Sequence, residues 1–178
     1  MKLYNDIEQA IRNHALQLSV PKDTTQDDVY QCIRSIMRES PDIFWFVHHQ
    51  YHFDKDHGIV SFRYRCSLER CAIIQESING VVENDFQITF VRTLSQLEQV
   101  AYVYKWMLTY CNYNTNSAYN QNIDSVFIRR NSVCTGYAKA AQYLFKLLGI
   151  ESRLVFGRLN NDKEDGRHCW NIVNPNRS

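Results

Sequence analysis

The stretch that decides the fold is residues 131–149, NSVCTGYAKAAQYLFKLLG. Apolar side chains recur at helical spacing from Cys134 to Leu148, and Gly149 supplies a C-terminal stop, so the pattern predicts a helix that begins at Cys134. A cysteine at a helix start faces unpaired backbone N–H groups and the positive end of the helix dipole, which stabilise a thiolate. Cys134 is therefore a candidate nucleophile, whose own backbone N–H can help to hold an oxyanion. The alternative is a buried, inert cysteine.

The second informative stretch is residues 166–171, GRHCWN. It predicts a strand that follows another strand over residues 150–159, with a polar loop between them. Strand alternation divides the side chains between two faces: His168, Trp170 and Ile172 on one, Cys169, Asn171 and Val173 on the other. An activated thiol requires a nearby imidazole, so His168 is the candidate base and Trp170 a candidate wall of the cleft. The alternatives are a hydrogen-bonded strand histidine at 168 and, for Cys169, a core residue.

These two stretches, with the helix after Ser95, Tyr113 and residues 119–122, resemble the bacterial transglutaminase-like superfamily over residues 95–173. The resemblance implies a papain-like core in which the cysteine helix packs on an antiparallel sheet. It also implies that the cysteine at the start of that helix is the nucleophile and that the histidine before the tryptophan is its base. By position these roles fall on Cys134 and His168. A looser analogy with the oxyanion-hole glutamine of papain-type enzymes makes Gln121 a candidate donor.

In that family an acidic residue on the following strand orients the histidine, and no Asp or Glu follows His168 in this sequence. Three interpretations are open: a sequence that stops before the acid, a non-catalytic member of the family, or a substitute residue. We expect the first, because a degenerate member would have no reason to retain both Cys134 and His168 in good sequence surroundings. The candidate substitutes are Asn171, Asn174, Asp162, Glu164 and Asp165.

The first half of the chain predicts helices and an aromatic hairpin. The predicted helices cover residues 5–18, which Pro21 closes, and 25–39, which a Thr25–Asp28 cap opens. The hairpin strands are residues 43–53 and 59–66, and residues 68–79 follow as a helix with Asn79-Gly80 as a stop or kink. Residues 85–92 are ambiguous between strand and loop.

A capping box at Ser95 and Glu98 predicts the next helix. Its predicted apolar face consists of Leu97, Val100, Ala101, Tyr104, Leu108 and Cys111. The sequence thus predicts an α+β fold with two parts: N-terminal helices and hairpin over residues 1–92, and a transglutaminase-like core over 93–178, truncated at its C-terminus.

Charge and composition exclude several classes of partner. The formal net charge is +1, so nothing predicts binding to nucleic acid or to an anionic membrane. No long apolar stretch and no signal peptide are evident, and the six cysteines form no framework, which predicts reduced thiols and a cytoplasmic location. The histidines at 48, 49, 52 and 57 lie in a strand pattern without the glutamate of a zinc-protease helix, so no metal and no cofactor is predicted.

The sequence therefore predicts a cysteine enzyme that attacks the carbonyl of a peptide or protein substrate and forms a thioester acyl-enzyme. The resemblance favours a protease or amidase over a protein cross-linker. One alternative is a non-catalytic module that binds peptide or protein in the same cleft, and the missing acid is its best support. Another is a different acyltransferase built on the same Cys-His arrangement.

Overall fold

The computed structural model describes residues 2–117, 119–158 and 166–175. The chain divides into two compact units, Met1–Ala72 and Ile73–Ser178. Helices and antiparallel sheets occur in the described parts, so the fold is α+β as predicted. The predicted boundary between residues 92 and 93 lies inside the second unit and stays a prediction.

The first unit consists of two helices and a three-stranded antiparallel sheet. Its elements are α1 Lys2–Arg12, β1 Gln17–Ser19, α2 Gln26–Glu39, β2 Phe46–Asp54 and β3 Ile59–Tyr64, with strand order β1-β3-β2. The predicted hairpin is confirmed as β2 and β3, and α2 begins with the predicted capping box of Thr25 and Asp28. Apolar side chains of both helices and of the sheet fill one core: Ile7, Ile11, Val29, Ile33, Ile36, Phe46, Val60 and Phe62.

Helix α1 is shorter than its apolar periodicity predicted, because the chain turns at His14. The backbone of His14 is left-handed, with φ 52°. Its N–H donates to Ile11 O at 3.2 Å, and the N–H of Ala15 donates to Ala10 O at 2.9 Å. These two bonds form a Schellman motif with histidine where glycine is usual. The prediction of one helix over residues 5–18 was therefore wrong at its C-terminal end, where β1 begins instead.

The second unit contains the remaining helices and two small sheets. The elements after β3 are α3 Leu68–Asn84, in which the division between the units falls, then α4 Ile88–Val91, α5 Gln96–Tyr110, β4 Asn112–Tyr113, α6 Ile123–Phe127, β5 Asn131–Ser132, α7 Cys134–Leu147, β6 Glu151–Arg158 and β7 Arg167–Asn174. Helix α3 continues past Asn79-Gly80, so a stop there was wrong, and the alternative of a kink stays a prediction. Residues 85–92, ambiguous between strand and loop, contain the short helix α4.

The predicted inner face of α5 was also wrong. The buried side chains are Gln99, Val103, Trp106 and Met107. Leu97 and Leu108, both assigned to the inner face, are 71% and 78% exposed. Trp106 explains the difference, since its large ring packs edge-on against Phe86 and stacks on Tyr110. The capping box at the start of the helix is confirmed.

The layer that carries the site is α7 packed on the β6–β7 hairpin. Helix α7 begins at Cys134 as predicted, and Gly149, with φ 73°, provides the left-handed turn that ends it. The two strands pair antiparallel from Glu151 with Asn174 to Arg158 with Arg167. Among the described residues, no helix has the length and apolar character that crossing a membrane requires.

Candidate functional site

Cys134 is the first residue of the 14-residue helix α7. Its N-cap residue, Val133, has an extended backbone and makes no side-chain cap bond, because valine has no acceptor. The Cys134 side chain is half-buried, and its Sγ lies 4.0 Å from the hydroxyl oxygen of Thr135. The sulfur is thus at the helix end at which the unpaired N–H groups lie.

The first turn of α7 is packed tightly on the segment that precedes it. The hydroxyls of Ser125 and Ser132 are hydrogen-bonded at 2.7 Å, and the Ser132 hydroxyl also lies 2.8 Å from Asn120 O. A Cβ atom on Gly136 would lie 2.0 Å from the Ser132 hydroxyl oxygen and 2.6 Å from Asn120 O. Only glycine therefore fits at this position, two residues after Cys134.

Gln121, the predicted oxyanion donor, lies in the same segment. The carbonyl oxygen of Asn120 accepts the N–H of Val133 at 3.2 Å, which fixes the residue before Gln121 at the start of α7. The Gln121 side chain is exposed. A role for its amide as an oxyanion donor stays a prediction.

His168 lies in β7, where its half-buried imidazole stacks on Trp170 at 5.9 Å between ring centroids. Trp170 is 37% exposed and covers Gly157, since a Cβ there would lie 2.6 Å from the indole ring. The two aromatic rings therefore form one wall on the face of β7 that the sequence assigns to His168, Trp170 and Ile172. The buried Cys169 is on the opposite face, as predicted.

The topology brings Cys134 and His168 to the same end of the layer. Helix α7 turns tightly into β6, and β7 is antiparallel to β6, so β7 runs in the general direction of α7. The amide of Asn171 donates to Ala138 O at 2.9 Å, which aligns the two elements. Cys134 lies four residues before Ala138 and His168 lies three residues before Asn171, each toward the N-terminal end of its element.

Strand alternation nevertheless turns the His168 ring away from the face on which Asn171 meets α7. Among the described residues, Cys134 has its polar contact with Thr135 and His168 its ring contact with Trp170, and no hydrogen bond joins the sulfur to the imidazole. The pairing of Cys134 with His168 therefore stays a prediction.

Two of the candidate substitutes for the missing acid, Asn171 and Asn174, lie in the described residues, and neither is hydrogen-bonded to His168 there. The side-chain amide of Asn171 is bonded to Ala138. Asn174 pairs with Glu151 at the opposite end of β7 from His168. Asp162, Glu164 and Asp165 lie outside the described residues.

The other cysteines have different surroundings. Burial raises the pKa of the Cys32 thiol in the first unit. Burial also raises the pKa of the Cys111 thiol in the second unit, opposed by a hydrogen bond with Tyr137. These two thiols are therefore less nucleophilic at neutral pH, which makes them useful internal references for Cys134. No disulfide bond joins any of the six cysteines, all of which lie in the described residues.

Two buried polar residues near the site were not among the predicted site residues. Lys139 of α7 and Asn122 are each 8% exposed, and Lys139 Nζ donates to Asn122 Oδ1 at 3.3 Å. The sequence carried no signal for this contact, because a lysine in an amphipathic helix is ordinarily solvated. Within the described parts of the chain, no three His, Cys, Asp or Glu side chains are grouped to hold a metal ion.

Comparison with known proteins supports the resemblance that these residues carry. Residues 88–174 match the model of the transglutaminase-like superfamily. This region of the chain is therefore similar to that superfamily. The helices and antiparallel sheets of the described residues form the α+β fold that this similarity implies.

The chain is also similar to a solved structure titled "Crystal structure of a TGase", with 19% sequence identity and a TM-score of 0.49. The similarity covers 64% of this chain and 32% of that one, so this chain spans about a third of the length of the protein it matches. No curated protein matches the chain.

Proposed function

We propose that the transglutaminase-like region is a cysteine amidase or peptidase in which Cys134 is the nucleophile and His168 is its base. The observation that carries the proposal is the position of Cys134 at the first residue of α7, behind a valine N-cap that claims none of the first-turn N–H groups. Those groups and the helix dipole stabilise negative charge at this end of the helix. His168 lies toward the same end of the layer, on the strand that packs against α7.

In the proposed reaction the thiolate sulfur of Cys134 attacks the carbonyl carbon of an amide or peptide bond. The carbonyl electrons move to oxygen, and the backbone N–H of Cys134 and the amide of Gln121 donate to the resulting oxyanion. Collapse of the tetrahedral intermediate breaks the C–N bond, and the leaving amine takes the proton from the His168 imidazolium. Water then hydrolyses the thioester and restores the thiol.

Hydrolysis, rather than transfer to an amine, is the outcome that the resemblance to bacterial members favours. The proposal also requires a ring nitrogen of His168 to come within hydrogen-bond reach of the Cys134 sulfur during the reaction. Catalytic hydrogen bonds are commonly long or misaligned in unliganded enzymes and shorten when the substrate binds. The substrate is a peptide or protein, which the exposed indole of Trp170 can contact.

A second candidate function is a peptide- or protein-binding module without turnover. The observation that favours it is that the His168 imidazole stacks on Trp170 and that no hydrogen bond joins it to the Cys134 sulfur in the described structure. In that case Cys134 has no reason to be more reactive than the other half-buried thiols.

Thiol alkylation followed by mass-spectrometric mapping distinguishes the two candidates. With iodoacetamide near neutral pH, we expect Cys134 to react about tenfold faster than Cys32 and Cys111, whose pKa values are raised by burial. His168→Ala slows the reaction at Cys134, whereas His57→Ala, at an exposed turn of the first unit, is the matched control and leaves it unchanged. Equal rates at Cys134 and Cys32 would support the binding module.

Turnover is measured in parallel with two substrates. Release of fluorescent fragments from fluorescein-labelled casein reports hydrolysis, and incorporation of monodansylcadaverine into casein reports transfer to an amine. Cys134→Ala abolishes whichever activity is present. Incorporation without hydrolysis would contradict the amidase assignment while keeping the nucleophile.

A further inference from the structure

Lys139 is a charged residue in the interior of the second unit, five positions after Cys134 in α7. Its side chain is 8% exposed. Burying an ammonium group costs several kcal/mol unless the charge finds polar partners, so such lysines are rare without a specific role. The Lys139 ammonium donates to the side-chain oxygen of Asn122 at 3.3 Å.

The Asn122 side chain bonds to Lys139 and does not cap the helix that it precedes. It is the N-cap residue of α6, where an asparagine side chain usually accepts a backbone N–H of the first turn. In this structure its side chain makes no cap bond, and its amide oxygen accepts from Lys139 instead. The hydroxyl and N–H of Ser125 both bond to the Asn122 carbonyl oxygen, at 2.7 and 3.0 Å.

Asn120, two positions before Asn122, is bonded to the residues immediately before α7. The carbonyl oxygen of Asn120 accepts from the Val133 N–H at 3.2 Å and from the Ser132 hydroxyl at 2.8 Å. Gln121 is therefore attached on both sides to the start of α7, through Asn120 at the N-cap and through Asn122 at Lys139. Its own side chain is exposed between these two attachments.

We propose that Lys139 is a positioning residue that holds Gln121 beside Cys134, through Asn122, as an oxyanion donor. The inference rests on the proposed function of Cys134. The amide of an exposed glutamine stabilises an oxyanion only if its backbone holds it in place. A displacement of about 1 Å at a reacting centre can cost on the order of 10²-fold in rate. In this proposal, the functional reason for burying Lys139 is that its bond to Asn122 fixes the orientation of the loop relative to Cys134.

The test compares two reactions at the same sulfur. Acylation of Cys134 by p-nitrophenyl acetate passes through an oxyanion, whereas alkylation by iodoacetamide is a direct displacement and forms none. The ratio of the two rates, each corrected with Cys134→Ala, isolates the oxyanion donor from the reactivity of the thiol. Removing one such donor costs on the order of 10²-fold in enzymes, and we expect Gln121→Ala to lower the ratio by at least about tenfold.

Lys139→Met should lower the ratio by a similar factor and leave the alkylation rate unchanged. In the double variant with Gln121→Ala, the loss should be no larger than in either single variant, because both changes remove the same interaction. Lys146→Met, at an exposed position of α7, is the matched control and leaves the ratio unchanged. Asn122→Asp keeps an acceptor for Lys139 and should retain the ratio, while Asn122→Ala lowers it.

Asn122→Ala breaks the same contact from the other side if Lys139→Met fails to fold, which thermal denaturation reports. Additive losses in the double variant, or equal losses of acylation and alkylation in Lys139→Met, would overturn the positioning role. A Cys134 that reacts with both reagents no faster than Cys32 would instead overturn the proposed function, and this assignment with it.

Discussion

Gly136 shows at the scale of a single residue how the start of α7 is built. An added methyl group would overlap the Ser132 hydroxyl oxygen at 2.0 Å and the backbone oxygen of Asn120 at 2.6 Å. Neither neighbour is a flexible end of a side chain that moves at low cost. The close approach of these backbones is what brings residues 120–122 next to Cys134.

Gly136→Ala should therefore destabilise the protein by about 1–3 kcal/mol, the usual cost of overpacking a filled interior. Gly80→Ala, in the interior of α3 with nothing within 4 Å of the added carbon, is the matched control. We expect this control to stabilise by about 0.5–1 kcal/mol, because alanine favours a helix over glycine. Urea denaturation measures both free energies of unfolding. Equal stability of the two variants would contradict the overlap at Gly136.

Cys134 could be predicted from sequence because the helix start, the following Gly136 and the C-terminal Gly149 are all local signals. The hydrogen bond between Lys139 and Asn122 could not be predicted from the sequence. A lysine in a helix predicts a solvated position, and Asn122, an acceptor for its ammonium, belongs to another helix start 17 positions earlier. Contacts between buried polar groups depend on tertiary packing, which periodicity does not report.

At the scale of elements, the predictions for α5 and α1 were wrong where the local sequence was compatible with two structures. Helix α5 has apolar residues on more than one side, so its periodicity admitted both an outer stripe with Leu97 and Leu108 and an inner one with Trp106 and Met107. Only the neighbouring ring of Phe86 decides between them. Helix α1 ends at a left-handed histidine, and the usual glycine signal for such an end is missing from its sequence.

The capping boxes were predictable because both partners are three residues apart. In α5, hydrogen bonds from the side chain and backbone N–H of Ser95 hold the pKa of the Glu98 carboxyl below its ordinary value of 4.5. A lowered folded-state pKa stabilises the protein above the unfolded-state value, and this contribution is lost as pH falls through the folded-state value. The cap therefore weakens below about pH 4.5.

Glu98→Gln should make the melting temperature less dependent on pH in this acidic range. Glutamine keeps an acceptor for Ser95 but carries no charge, so the variant is less stable than the native protein at pH 7 and the difference shrinks toward pH 3. Calorimetry over this range measures the effect, with Glu76→Gln, at an exposed position in the middle of α3, as the control away from both helix ends. A constant difference between native protein and Glu98→Gln at all pH values would refute the charge-dependent cap.

At the scale of the whole molecule, the family match and the candidate site belong to one of the two compact units. Residues 88–174 lie entirely within Ile73–Ser178, and so do Cys134, Gln121 and His168. The first unit has its own apolar core, in which Ile33 is 1% exposed. In the second unit Phe145, on α7, is fully buried. These two side chains allow the dependence of the site on each core to be measured separately.

Ile33→Ala should destabilise the first unit by about 2–5 kcal/mol, and Phe145→Ala the second by about 3–5 kcal/mol, as usual for large-to-small changes in a core. Hydrogen exchange distinguishes them, because amides of α2 lose protection in the first variant and amides of α7 in the second. The alkylation rate of Cys134 relative to Cys111 should be unchanged by Ile33→Ala. It should fall in Phe145→Ala, since the helix that presents the sulfur is loosened. An equal loss in both variants would contradict a site built by the second unit alone and would make residues 1–72 part of its support.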